Sequence, residues 1–205
     1  MSRVLVLYPK ELLSQSKFQR KVGKVISRLE DVCLLYMNDH NGYVEQYAIE
    51  SEGSVNAEPL LAIQGADLTH AIVFDDGEEF NEESALLKEM DIPTRLLKIV
   101  ITRVINIKRE TQYEGLKSTP DYEYIGRGSY WGNPYSMFES NDDGEMDDRE
   151  EVIRKYKYDF DFDLFPNKEK SELIKLKGKR LGCFCSPAAC HGDVLADYLN
   201  ALDEE

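Results

Sequence analysis

RVLVLYPKELLSQSKFQRKVGKVISRLEDVCLLYM, Arg3 to Met37, decides the fold. It opens on RVLVLY (Arg3 to Tyr8), an apolar run that reads as a buried strand. The segment Ser14 to Glu30 follows, with Phe18, Val22, Val25, Ile26 and Leu29 at helical spacing. VCLLYM (Val32 to Met37) is a second strand. Strand, helix and strand joined by short connections specify a parallel pair with a right-handed crossover.

The pattern continues outward. Gly42 to Gly53 reads as a short helix and THAIVFDDG (Thr69 to Gly77) as a third strand ending in a turn. Asn81 to Pro93 is a helix, with Asn81 as its N-cap and Pro93 beyond its end. Thr94 to Ile107 is a long strand region. The expected class is α/β: a Rossmann-like parallel sheet with flanking helices over 1–104, then a smaller α/β domain over 105–205. In that second domain, Lys108 to Asn133 is rich in glycine, tyrosine and charge and has little period. Asp147 to Phe160 reads as a helix capped by Asp147, with Glu150 completing a capping box. Asn167 to Gly178 reads as a helix, Lys179 to Cys185 as a strand and Cys190 to Leu202 as the last helix.

The formal charge is −14, with acid concentrated in Phe138 to Glu151, expected as a solvated loop, and in the terminal DEE. A field of that sign disfavours nucleic acid. Basic residues gather locally in Val100 to Glu110 and Leu173 to Gly182, so anion binding stays open. No run reaches the ~18 apolar residues of a membrane span, and the start of the chain reads as a strand rather than a signal peptide. The expectation is a cytoplasmic protein without a disulfide framework.

Two stretches carry candidate chemistry. YIGRGSYWGNPY (Tyr124 to Tyr135) places Arg127 and Ser129 among Gly126, Gly128 and Gly132, followed by Asn133. Such a turn presents an arginine and backbone N–H groups to an anion, while Trp131 offers a flat face for a base or sugar. The alternative is a structural turn whose tryptophan plugs the core. CFCSPAACHG (Cys183 to Gly192) brings Cys190 and His191 to a helix start, where partial positive charge favours an anion or a thiolate. Asp193 either orients His191 or caps the helix. Zinc on Cys183, Cys185, Cys190 and His191, covalent catalysis by Cys190, and plain buried thiols all remain alternatives. No metal ligand or cofactor is assigned. His40 and His70 are isolated and read as structural.

YIGRGSYWGNPY, DREEVIRKY (Asp148 to Tyr156) and LKGKRLGCFCSPAACHGDVLADYL (Leu176 to Leu199) together resemble the family labelled domain of unknown function 4326, found in bacteria and their phages. Phe184 stands where that family usually has tryptophan. The resemblance implies that Gly126, Arg127, Gly128, Ser129, Trp131, Asn133, Cys190, His191 and Asp193 build one site; it names no reaction. The first half resembles the SLOG superfamily, Rossmann-like domains that bind or cleave nucleotides and their derivatives. VLVLY, NDHNGYVEQYA, GADLTHAIVFDDG and ALLKEMDIPTRLL carry that likeness. YMNDHNG replaces the expected paired glycines, which implies a scaffold domain.

The expected function is binding of a nucleotide or nucleotide-derived anion at the second domain, with hydrolysis through His191, Asp193 and Cys190 as its enzymatic extension. The alternative is a non-enzymatic, phage-encoded interaction module whose acidic surface meets a host protein or a second copy of itself.

Overall fold

The computed structural model describes residues 1–138, 146–165 and 168–203, and the chain divides into two units. The first comprises Met1–Val100 with Ala201–Glu205; the second is Ile101–Asn200. The stretch 139–145, which holds half of the expected acidic loop, lies outside the described residues. Among those residues no helix is long and apolar enough to cross a membrane.

The first unit follows the strand–helix alternation. Its elements are β1 (Ser2–Leu7), α1 (Gln15–Ile26), β2 (Val32–Tyr36), α2 (Tyr43–Glu50), β3 (Val55–Pro59), β4 (His70–Asp75), α3 (Asn81–Glu89) and β5 (Thr94–Lys98). Five strands pair in the order β3-β2-β1-β4-β5, all parallel. β1 is central, so both of its faces are covered, and Val4, Leu5 and Val6 have no exposed surface. Leu5 and Leu7 meet Cys33, Leu35, Val73 and Leu87 of α3 on one face. On the other, Phe18 of α1 stacks on Phe74 of β4, ring centres 5.3 Å apart. Phe18, Val22 and Ile26 are the buried stripe of α1. Ser14 caps that helix, its Oγ accepting from Lys17 N at 3.3 Å.

The long apolar region Thr94 to Ile107 does not form one strand. β5 ends at Lys98, and β6 (Arg103–Asn106) belongs to a different sheet. The division at Val100/Ile101 therefore falls a few residues ahead of the expected 104/105 boundary.

In the second unit β6 is followed by a 3-10 turn (Thr111–Tyr113), β7 (Ser118–Thr119), β8 (Tyr122–Tyr124) and α4 (Arg149–Asp161). A 3-10 segment (Lys170–Leu176), β9 (Arg180–Cys183) and α5 (His191–Ala201) complete it. The sheet order is β6-β9-β8-β7; β6, β9 and β8 are parallel and β7 is antiparallel at the edge. Leu195, Ala196 and Leu199 bury the inner face of α5. Asn200 holds its end by bonding both the N–H and the carbonyl of Thr102, at 2.8 and 2.9 Å.

Three local expectations are corrected. Asp148, not Asp147, caps α4: its carboxylate accepts from Glu151 N at 2.8 Å, while Asp147 pairs with Lys155. Asn81 is the first residue of α3 rather than its cap; Phe80 precedes it at φ 61°. Leu173 and Leu176 are buried from 3-10 turns instead of an α-helix.

Candidate functional site

β8 and β9 run side by side, and their carboxyl ends open into one cavity of ≈ 310 Å³. Clefts outside the carboxyl ends of parallel strands are the usual ligand positions of α/β sheets. Four segments wall this one: the loop after β8 (Gly126, Arg127), the first turns of α4 (Arg149, Val152), the end of β9 (Cys183, Cys185) and the start of α5 (Cys190, His191).

The glycine-rich loop folds tightly on itself. Gly126 O accepts from Ser129 N, and Ser129 O accepts from Gly132 N, both at 3.1 Å. Gly128 has φ 81°, the left-handed conformation glycine adopts freely. A Cβ on Gly132 would lie 2.6 Å from the carbonyl oxygen of Gly126, so this glycine lets two backbone segments touch. The loop presents Arg127 outward and on the cavity wall. The Ser129 side chain contributes no bond: its Oγ is buried and has no partner among the described residues.

Trp131 lies apart from this cavity. It is 5% exposed, lies edge-on to Tyr130, and borders a separate pocket with Tyr130, Glu172 and Lys179. Its carbonyl accepts from Tyr156 Oη at 3.0 Å. Asn133 does border the cavity, but its polar atoms are used: Nδ2 donates to Val152 O at 3.1 Å, and Oδ1 accepts from Tyr135 N at 2.9 Å.

His191 is 5% exposed, packs edge-on against Tyr156, and sits 2.8 Å through Nε2 from the carbonyl of Ile125. A carbonyl can only accept, so Nε2 carries the proton of the neutral ring and Nδ1 keeps the lone pair. Burial holds the imidazole at about 4 and therefore uncharged near neutrality; the Ile125 bond opposes this and Lys168 adds to it.

Asp193 resolves as a cap. Its carboxylate accepts from Cys190 N at 2.7 Å, while Gly192 N donates to Cys190 Sγ at 3.3 Å. Cys190 thus stands at the N-cap of α5 with Asp193 reaching back to it, a capping box built on a sulfur. Asp193 does not orient His191 through this contact.

The three cysteines of CFCSPAACHG converge. Their Sγ atoms all lie within 4.8 Å of one another, and all are free thiols. Cys183 is drawn below the ordinary thiol range, first by a hydrogen bond from Cys190, whose own thiol is correspondingly pushed up. Arg149 is the participant the sequence reading missed. Nη1 donates to Ala189 O at 3.1 Å; burial pushes the Cys185 thiol up, and the Arg149 charge opposes that shift. A first-turn arginine following a cap aspartate was the available signal.

The first unit has a smaller cavity, ≈ 160 Å³, at the carboxyl ends of its strands, bordered by Tyr8, Asn38, His40 and Glu79. Beside it the N-terminus of α2 is already occupied. Asp39 accepts from Val44 N at 3.1 Å and Glu45 N at 3.0 Å, and Tyr8 Oη donates to the same carboxylate. A carboxylate of the chain sits where a helix start would hold an anion, a physical counterpart to the missing paired glycines.

Comparison with known proteins agrees with this division. Residues 1–105 match the family model described as minimal SLOG domain, and residues 105–201 match Domain of unknown function (DUF4326). Over 79 residues the chain is 39% identical to an "Uncharacterized 12.4 kDa protein in nrdA-td intergenic region" of Enterobacteria phage T4. That alignment covers 38% of this chain and 67% of the relative. No solved structure matches.

Proposed function

For a chain that belongs to the minimal SLOG family over 1–105 and to the DUF4326 family over 105–201, we propose binding of a nucleotide-derived anion in the cavity of the second unit. SLOG domains are associated with nucleotide-related binding, and the SLOG match of the first unit supports that ligand class for the chain. One observation carries the placement: two arginines from separate segments, Arg127 and Arg149, border the same cleft at the carboxyl ends of β8 and β9. Guanidinium groups recognise phosphate oxygens in planar, bidentate fashion. Apolar Val152, Ile153 and Phe184 supply a surface for a base or sugar, in place of the buried Trp131.

His191 is the one histidine on the wall, and hydrolysis enters this reading only through its Nδ1 lone pair. The test is a thermal-shift panel of nucleotides, nucleotide sugars and dinucleotides on the full chain. A ligand at a hundredfold its dissociation constant stabilises by roughly 2.7 kcal/mol, a rise of about 5–10 °C at this chain length. Arg127→Ala should weaken binding of any hit by tenfold or more while leaving the chain folded. Equal affinity in that variant would remove the phosphate role, and a flat panel would favour the interaction-module alternative.

A further inference from the structure

The cavity corner formed by the three thiols has a chemistry that anion binding does not use. Cys183 and Cys185 come from the end of β9 and the residues after it, and Cys190 comes from the cap of α5. Three sulfurs from two segments lie within 4.8 Å of one another, and all three border the cavity. Tetrahedral coordination with ~2.3 Å metal–sulfur bonds places sulfurs about 3.8 Å apart. A small inward shift closes the set around an ion.

We propose that Cys183, Cys185 and Cys190 bind one zinc-class metal ion whose fourth coordination position faces the cavity. Thiolate donors select soft or borderline ions, zinc first among those stable without redox chemistry. Three protein ligands with a fourth place left for water or an incoming heteroatom is the arrangement of reactive zinc sites, whereas structural sites close with four. His191 does not close this one: the groups that converge within 4.8 Å are the three cysteines, and the histidine is not among them. The surroundings support coordinated thiolates. Gly192 N–H already donates to Cys190 Sγ at 3.3 Å, and Arg149 borders the same cavity as the three sulfurs. Such outer contacts orient ligands and stabilise their charge.

The binding step balances simply. Three thiols release three protons and the dication joins three thiolates, leaving a centre of net charge −1. Arg149, on the same cavity wall, offers positive charge both to that centre and to an anion in the cleft. The metal site stands independently of the ligand proposal, because it needs no nucleotide.

The experiment uses the full chain, reduced with a non-thiol reductant, stripped with chelator and titrated with zinc and with cobalt(II). The expected result is uptake of one equivalent, with sulfur-to-cobalt charge-transfer absorption and the intense visible bands of tetrahedral cobalt. Cys185→Ser, at a half-buried position that tolerates a hydroxyl, should weaken zinc by more than the ~10–100-fold that an outer-shell change causes. Cys190→Ser should do the same, and Cys33→Ser, in the other unit, should leave affinity unchanged. Azide should shift the visible cobalt bands by entering the fourth position. Absence of stoichiometric uptake by the wild-type chain, or uptake unaffected by Cys185→Ser, would overturn the site. Cobalt bands insensitive to azide would overturn the open position.

Discussion

Asp39 and Gly132 show how much of this molecule turns on single residues. Asp39 gives its carboxylate to two N–H groups of α2 and to Tyr8 Oη. Removing an acidic cap costs about 1–2 kcal/mol, so Asp39→Ala should lower the melting temperature by several degrees. The vacated helix start should then accept an exogenous anion, and sulfate should recover part of the loss in the variant while doing little to the parent. Equal responses to sulfate would show that the seat is not the one Asp39 fills. Gly132 has no such freedom. Its missing Cβ is the space in which Gly126 O lies, and backbone cannot step aside as a side chain would. Gly132→Ala should cost about 1–3 kcal/mol and disturb the presentation of Arg127, read by calorimetry and by the affinity of any ligand found. The glycines of this loop stood out in the sequence. That Gly132 serves a backbone contact rather than a ligand could not be read there, because the contact joins atoms brought together only when the loop closes.

At the scale of elements, local signals succeeded where an element carries its own period. α1 is announced by Phe18, Val22 and Ile26, and β1 and β4 by uninterrupted apolar runs. β7 and β8 have two and three residues, too few to show any period, and β3 (VNAEP) is largely exposed at the edge of its sheet. α5 was expected, and its capping chemistry decides what Asp193 does. Asp193→Ala should therefore act as a cap deletion, costing about 1 kcal/mol, and nitrogen NMR of His191 should still show the proton on Nε2, held there by Ile125 O. A switch of tautomer in that variant would restore the orienting role. Asp148 and Asp147 make the same point: two adjacent acids are equivalent in sequence, and only the entry direction of the chain makes Asp148 the cap and leaves Asp147 to Lys155.

At the scale of the whole molecule, charge and the division into units govern behaviour. A formal charge of −14 opposes polyanions. At about 0.1 M salt, where screening acts over roughly 10 Å, the chain should neither be retained on heparin nor shift a single-stranded oligonucleotide. Retention that fell steeply with added salt would reveal a basic surface strong enough to outweigh the net field. The sequence by itself determined the α/β class, the two-part organisation, and the two stretches from which most of the candidate site is drawn. Periodicity, glycine content and cysteine spacing are properties of neighbours along the chain. Tertiary structure alone decided that the apolar run Thr94 to Ile107 is shared between two sheets. It also placed Trp131 in the interior, and brought Arg149 and three sulfurs to the same cleft as Arg127. Those outcomes depend on which face of each element is buried and on contacts between residues distant in sequence, as between β8 and β9. No local pattern encodes them, because the free energy that selects them comes from packing of the assembled unit.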